Sequence, residues 1–186
     1  MKFNLKMMLL TSMFTALTAV GAFIKIPLGP FLPAITLQVF FVILSALLLG
    51  KYYGALSQII YIALGLIGIP VFTNGSGIGY VMQPSFGYLL GFVPAAFLIG
   101  YLAEQIKKKN FFNLLLCCVL GIVIDYLVGL PYLYYVLKFL LDQDVNIMAL
   151  VKSGFLIFLP GDLVKCIVAS ILAVRIIPRV GTSIQR

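Results

Sequence analysis

An aspartate and a lysine stand three residues apart in an otherwise apolar run, Leu159-Pro160-Gly161-Asp162-Leu163-Val164-Lys165-Cys166-Ile167-Val168. A charge at bilayer depth is costly and is normally retained for a role. The i,i+3 spacing puts both side chains on one face of a helix. Pro160 and Gly161 read as a helix start, which places Asp162 in the first turn, near the positive end of the helix dipole. A carboxylate accepts N–H donors, and an ammonium donates to a carbonyl or a carboxylate. The pair is therefore either one wall of a polar ligand pocket or a self-neutralising link that pins the helix to a neighbour. The pocket is favoured because intramembrane ionisable residues are functional by default. Asp125 is a second intramembrane acid, followed by Tyr126, Tyr132, Tyr134 and Tyr135. The tyrosines read as an interfacial aromatic belt, and Asp125 divides evenly between a structural role and proximity to a ligand.

A second polar cluster is the loop Thr73-Asn74-Gly75-Ser76-Gly77-Ile78-Gly79-Tyr80. Its glycines do not follow the dinucleotide-binding spacing, and no strand precedes them. They allow close backbone approach to a ligand, with Asn74, Ser76 and Tyr80 offering hydrogen bonds. So long a Gly-rich loop in so small a chain reads as a lid or binding loop rather than a slack connection.

The elements that must carry these residues are membrane spans. The chain is 63% hydrophobic and only 10% charged over 186 residues, with no His and no Trp. A soluble domain would carry about a quarter charged residues, and a transmembrane barrel would alternate apolar with polar. The expected architecture is one all-α domain over residues 1–186. Apolar runs place spans at about 7–26, 35–50, 54–69, 85–105, 111–141 and 160–177. Lys51-Tyr52-Tyr53 reads as a tight turn, Pro131 as a kink, and 147–158 as too short to span alone. The basic start followed by an apolar run reads as a retained first span rather than a cleaved signal.

Six spans put both termini on one side. Lys2, Lys6, Lys51, Lys107, Lys108, Lys109, Arg175, Arg179 and Arg186 then share that side, nine of the 13 basic residues, which makes it cytoplasmic. The net charge of +8 thus reflects topology, and no nucleic-acid partner is expected. Cys117, Cys118 and Cys166 lie in apolar runs and read as small core residues. With no His, no metal-ligand cluster and no nucleophile paired with a base, neither catalysis nor a metal or cofactor is expected. Small-residue spacings on the first span (Ser12 to Ala16, Thr15 to Ala19) and the fourth (Gly87, Gly91, Ala95) admit close helix approach. Internal packing accounts for any one of them, and at least one suits a separate membrane partner.

Ala16-Leu17-Thr18-Ala19-Val20-Gly21-Ala22-Phe23, with Ile26-Pro27-Leu28-Gly29-Pro30 and Ile35-Thr36-Leu37-Gln38, resembles the start of BioY proteins. Gly65-Leu66-Ile67-Gly68-Ile69-Pro70-Val71-Phe72, Pro84-Ser85-Phe86-Gly87-Tyr88-Leu89-Leu90-Gly91-Phe92 and Pro160-Gly161-Asp162…Lys165 extend the likeness over nearly the whole chain. BioY is the biotin-specific substrate-binding (S) component of energy-coupling factor (ECF) transporters of prokaryotic cell membranes. The resemblance implies a six-helix membrane protein that binds biotin near the outer face. It also implies partnership with a transmembrane coupling protein and two cytoplasmic ATPases, which supply the energy.

By the same resemblance Asp162, Lys165, Asn74, Ser76, Tyr80 and Gln38 form the biotin site, and the loop 27–33 helps close it. Ser12, Ala16 and Ala19 would dock the coupling protein, Ser12 replacing the usual Ala. Some relatives carry an Arg, at the position of Leu89, that meets the vitamin carboxylate. Here Lys165, backbone N–H groups of the Gly-rich loop, or water is left to meet it. Biotin itself suits an apolar pocket with a few convergent polar groups, having an apolar fused ring, a ureido end and one carboxylate. The alternatives are an S component for another small vitamin, and a solo proton-coupled carrier titrating at Asp125 and Asp162.

Overall fold

The computed structural model describes residues 5–29 and 32–180. Lys2, Pro30 and Arg186 lie outside the described residues, and so does the side chain of Arg179. The chain is mostly helical. Helix α1 (Leu5–Phe23) leads into a short antiparallel strand pair, β1 (Lys25–Ile26) with β2 (Ile35–Thr36). Then come α2 (Gln38–Leu66), a 3-10 turn (Ile78–Met82), α3 (Phe86–Gln105) and α4 (Phe111–Tyr135). A short α5 (Ile147–Val151) and a π-type turn (Lys152–Leu156) precede α6 (Leu159–Val180). Five helical stretches among the described residues are long and apolar enough to cross a membrane, and the protein is a multi-pass membrane protein.

Burial runs opposite to that of a soluble bundle. Leu116, Leu127 and Phe112 are exposed, whereas Thr11, Thr15, Thr18, Ser45, Ser57 and Gln58 are buried. Exposed leucines suit a surface solvated by lipid, where burial of apolar groups drives nothing and interior contacts favour small and hydroxyl-bearing side chains. The inward hydroxyls find partners locally. Thr11, Thr15 and Thr18 each donate to the carbonyl four residues back, and Thr15 Oγ1 also reaches Ser57 O at 2.9 Å. Cys117, Cys118 and Cys166 are buried free thiols, as their apolar setting suggests.

The expected turn at 51–53 is helical, and the break sits one residue earlier. Gly50 has φ +78°, in the left-handed region that costs glycine little. Here α2 folds back on itself. Gln38 Nε2 donates to Tyr61 Oη at 2.6 Å, Gln58 Nε2 to Ser45 Oγ at 3.3 Å, and a Cβ on Gly54 would lie 2.8 Å from Ala46 Cα. Residues 38–46 therefore run antiparallel beside 54–61. Glu104 secures the reversal, accepting from the Lys51 backbone N–H at 3.0 Å and pairing with its ammonium at 3.2 Å.

Other boundaries shift modestly. The first helix ends at Phe23 because Lys25–Ile26 pairs with Ile35–Thr36, so the second begins only at Gln38. Helix α4 runs through Pro131 to Tyr135 and loosens into a π-type turn, Val136–Leu140, beyond the proline. The stretch 147–158 coils directly into α6. Successive helices pack side by side, and α6 closes against α2 and α4. Gly91 lets α3 and α4 meet closely: a Cβ there would stand 2.2 Å from Asp125 Oδ1.

Candidate functional site

Where the strand pair, the Gly-rich loop and the ends of the helices converge, a partly open cavity lies among them. Its lining has two polar ends, one on α4 and α6 and one on the strand pair and loop, and includes the apolar side chains Val39, Leu89, Phe92 and Phe158. Leu89, Phe92 and Phe158 are buried.

The first polar end joins α4 to α6. Asp162 Oδ1 lies 2.7 Å from Lys165 Nζ, and Asp162 Oδ2 accepts from the Tyr126 hydroxyl at 2.5 Å. The helical start at Leu159 agrees with the reading of Pro160. The N–H of Asp162, however, already donates to Phe158 O at 3.0 Å, because the chain is helical on both sides of this point. The carboxylate therefore turns to Lys165 and Tyr126 instead of capping the helix. Asp125 also lines this end, and its buried Oδ1 has no hydrogen-bond partner among the described residues. A buried polar atom left unmatched costs about 1–3 kcal/mol, and this one sits at the α3–α4 contact beside Gly91.

The second polar end is built by the strand pair and the loop. Gln38 is its hub: Oε1 accepts from Thr36 Oγ1 at 3.0 Å and Thr73 Oγ1 at 3.3 Å, while Nε2 donates to Tyr61. Tyr61 passes the bond on to Val71 O at 3.0 Å. Asn74 lines the cavity and its Oδ1 accepts from Lys25 Nζ at 3.0 Å. Tyr80 is buried against the cavity, with Oη 3.1 Å from Ser85 Oγ. Burial pushes the Tyr80 phenol above its ordinary pKa, so it stays a neutral hydroxyl.

The loop is shaped rather than slack. Gly77 N–H donates to Gly65 O at 2.7 Å and Ser76 Oγ to Gly68 O at 2.9 Å. Phe72 drops onto Gly65 so closely that a Cβ there would meet the ring at 2.0 Å. Its ring also contacts Tyr61 and Tyr80.

Five of the residues expected in a ligand site, Gln38, Asn74, Tyr80, Asp162 and Lys165, line this one cavity. Ser76 is not among its lining residues and braces the loop backbone instead. Tyr126, expected in an interfacial belt, is buried on Asp162. Thr36, Thr73, Tyr88 and Lys25 carry no local signal that singles them out. On α1, Ser12 and Ala16 are exposed, whereas Thr15 is buried and Ala19 half-buried. The two small-residue spacings are adjacent on the helix, Ser12–Ala16 on its outward edge and Thr15–Ala19 turned toward the bundle. Gly87 and Gly91 on α3 pack internally, against Tyr132 and Asp125.

The BioY family model matches residues 1–182. The chain is 43% identical to the probable biotin transporter BioY of Lysinibacillus sphaericus, over 91% of this chain and 85% of that one. It is also 43% identical to the biotin transporter BioY of Thermotoga maritima, over 92% of this chain and 96% of that one. Its fold resembles a solved S-component for biotin from an ECF-type ABC transporter, with a TM-score of 0.80 and 30% identity, covering 92% of this chain and 90% of that one. The chain belongs to the BioY family.

Proposed function

We propose that this chain is the biotin-capturing S component of an ECF-type vitamin transporter. The observation that carries the reading is the cavity itself, which brings the Asp162–Lys165–Tyr126 cluster, the Gln38–Asn74–Thr73 cluster and the apolar Val39, Leu89, Phe92 and Phe158 into one lining. Biotin has the matching set of parts: a ureido group that donates and accepts, an apolar ring system and chain, and a carboxylate. Asp162, Lys165, Asn74, Tyr80 and Gln38 are the binding groups, and the protein captures the vitamin without altering it. Calorimetric titration of purified, vitamin-free protein with biotin tests this; absence of binding would overturn it.

The same reading places six spans in the membrane with both termini cytoplasmic. The reversal at Gly50 supports it by dividing α2 into two passes. Glu104 supports it too, since it ties Lys51 to the end of α3 that leads into Lys107-Lys108-Lys109. These basic residues then gather at the inner face and the cavity opens outward. The exposed Ser12–Ala16 stripe on α1 suits docking to a membrane coupling protein, with two ATPase subunits driving transport. The unmatched Oδ1 of Asp125 is the observation that favours the rival, a solo proton-coupled carrier. Uptake by the reconstituted protein alone, driven by a pH gradient, would select that rival.

A further inference from the structure

Two ammonium groups bond to residues that line the cavity, and their electrostatic situations differ. Lys165 is neutralised at one polar end by Asp162 at 2.7 Å. Lys25 is exposed and lies outside the lining, but its Nζ donates to two lining residues at the other end, to Thr73 O at 2.5 Å and to Asn74 Oδ1 at 3.0 Å. Both acceptors are neutral. The five acidic residues of the chain are all described, and the ion pairs among them take Glu104 to Lys51 and Asp162 to Lys165, leaving Lys25 in neither.

The position of Lys25 is fixed by local structure. It pairs in register with Thr36 across the β1–β2 ladder. Directly opposed residues of an antiparallel pair point to the same face, and Thr36 lines the cavity. An ammonium has three N–H donors; two are taken by Thr73 and Asn74, and the third has no partner among the described residues. A net positive charge with an open donor beside two cavity-lining groups is a site for an anion.

We infer that Lys25 is the group that selects ligands with a carboxylate at the mouth of the cavity. This rests on the biotin reading and extends it: the ureido end lies toward Asp162 and Tyr126, and the carboxylate reaches Lys25 beside Asn74. Leu89 lines the cavity and offers the carboxylate no polar group. Lys25 acts here as a specificity determinant, separate from its role in holding the two loops together.

The test compares biotin with its neutral carboxamide by calorimetry on the wild-type protein, Lys25→Gln and Lys25→Arg. The wild type is expected to bind biotin at least about tenfold tighter than the amide. Lys25→Gln should lose that preference while keeping its amide affinity within about twofold, and Lys25→Arg should retain the preference. A preference that survives Lys25→Gln overturns the inference, and so does a loss of both ligands alike, which would reduce Lys25 to a loop tie. In the wild type alone, the preference should shrink as ionic strength rises from about 0.05 to about 0.5 M. Equal binding of both ligands by the wild type would overturn the inference and leave the biotin reading standing. Binding of neither would remove both.

Discussion

Tyr126 and Asp162 are joined by a 2.5 Å hydrogen bond across 36 residues of sequence, tying α4 to α6 at the floor of the cavity. With Lys165 on the other carboxylate oxygen, Asp162 is held from two sides before any ligand arrives. Pre-set geometry of this kind reduces the ordering cost of binding.

Replacing Tyr126 with Phe should weaken biotin binding by about tenfold, since one charge-assisted hydrogen bond is lost at about 1.5–3 kcal/mol. Titration of the variant measures it. Unchanged affinity would show that Asp162 needs no third group to hold its position.

Lys165→Ala strands the Asp162 carboxylate in a buried site, and breaking one side of such a pair costs about 3–5 kcal/mol. Thermal unfolding in detergent should register a large drop. The double change Asp162→Asn with Lys165→Met should recover most of the stability and none of the affinity. Recovery of binding in the double variant would return the pair to a purely structural role.

Gly65→Ala should damage the loop without touching a ligand group. The added methyl would meet the Phe72 ring at 2.0 Å, displacing the aromatic set of Phe72, Tyr61 and Tyr80. Biotin affinity is expected to fall by more than about tenfold, with the helical content read by circular dichroism unchanged. Overpacking of this kind costs about 1–3 kcal/mol.

Ser12→Leu and Ala16→Leu enlarge the exposed stripe of α1. Both variants should bind biotin like the wild type and fail to support its uptake in cells that supply the other transporter subunits. Uptake at wild-type rate would place the docking surface elsewhere.

Much of this architecture is legible in the chain, because apolar runs and basic flanks follow directly from the cost of charge in a bilayer. Asp162 and Lys165 stand out for the same reason, and Asn74 for its place in a Gly-rich loop. The reversal at Gly50 is misplaced by one residue because polarity draws attention to Lys51, whereas backbone freedom resides in the glycine. Ser76 reads as a ligand group because a hydroxyl in a Gly-rich loop serves a ligand or a carbonyl equally well, and here Gly68 O takes it. Tyr126 resembles its neighbours Tyr132 and Tyr135 until its distant partner is known. Lys25 is invisible for a similar reason, since its acceptors lie 48 and 49 residues away.

The strand pair and the Gly-rich loop meet along a seam beside the cavity. The bonds that cross it join Lys25 to Thr73 and Asn74, and Gln38 to Thr73. Parting this seam breaks a handful of hydrogen bonds, while Phe72 keeps the loop packed on Gly65 of α2. Residence time is then set chiefly by the loops, and loop variants should alter the dissociation rate more than the association rate.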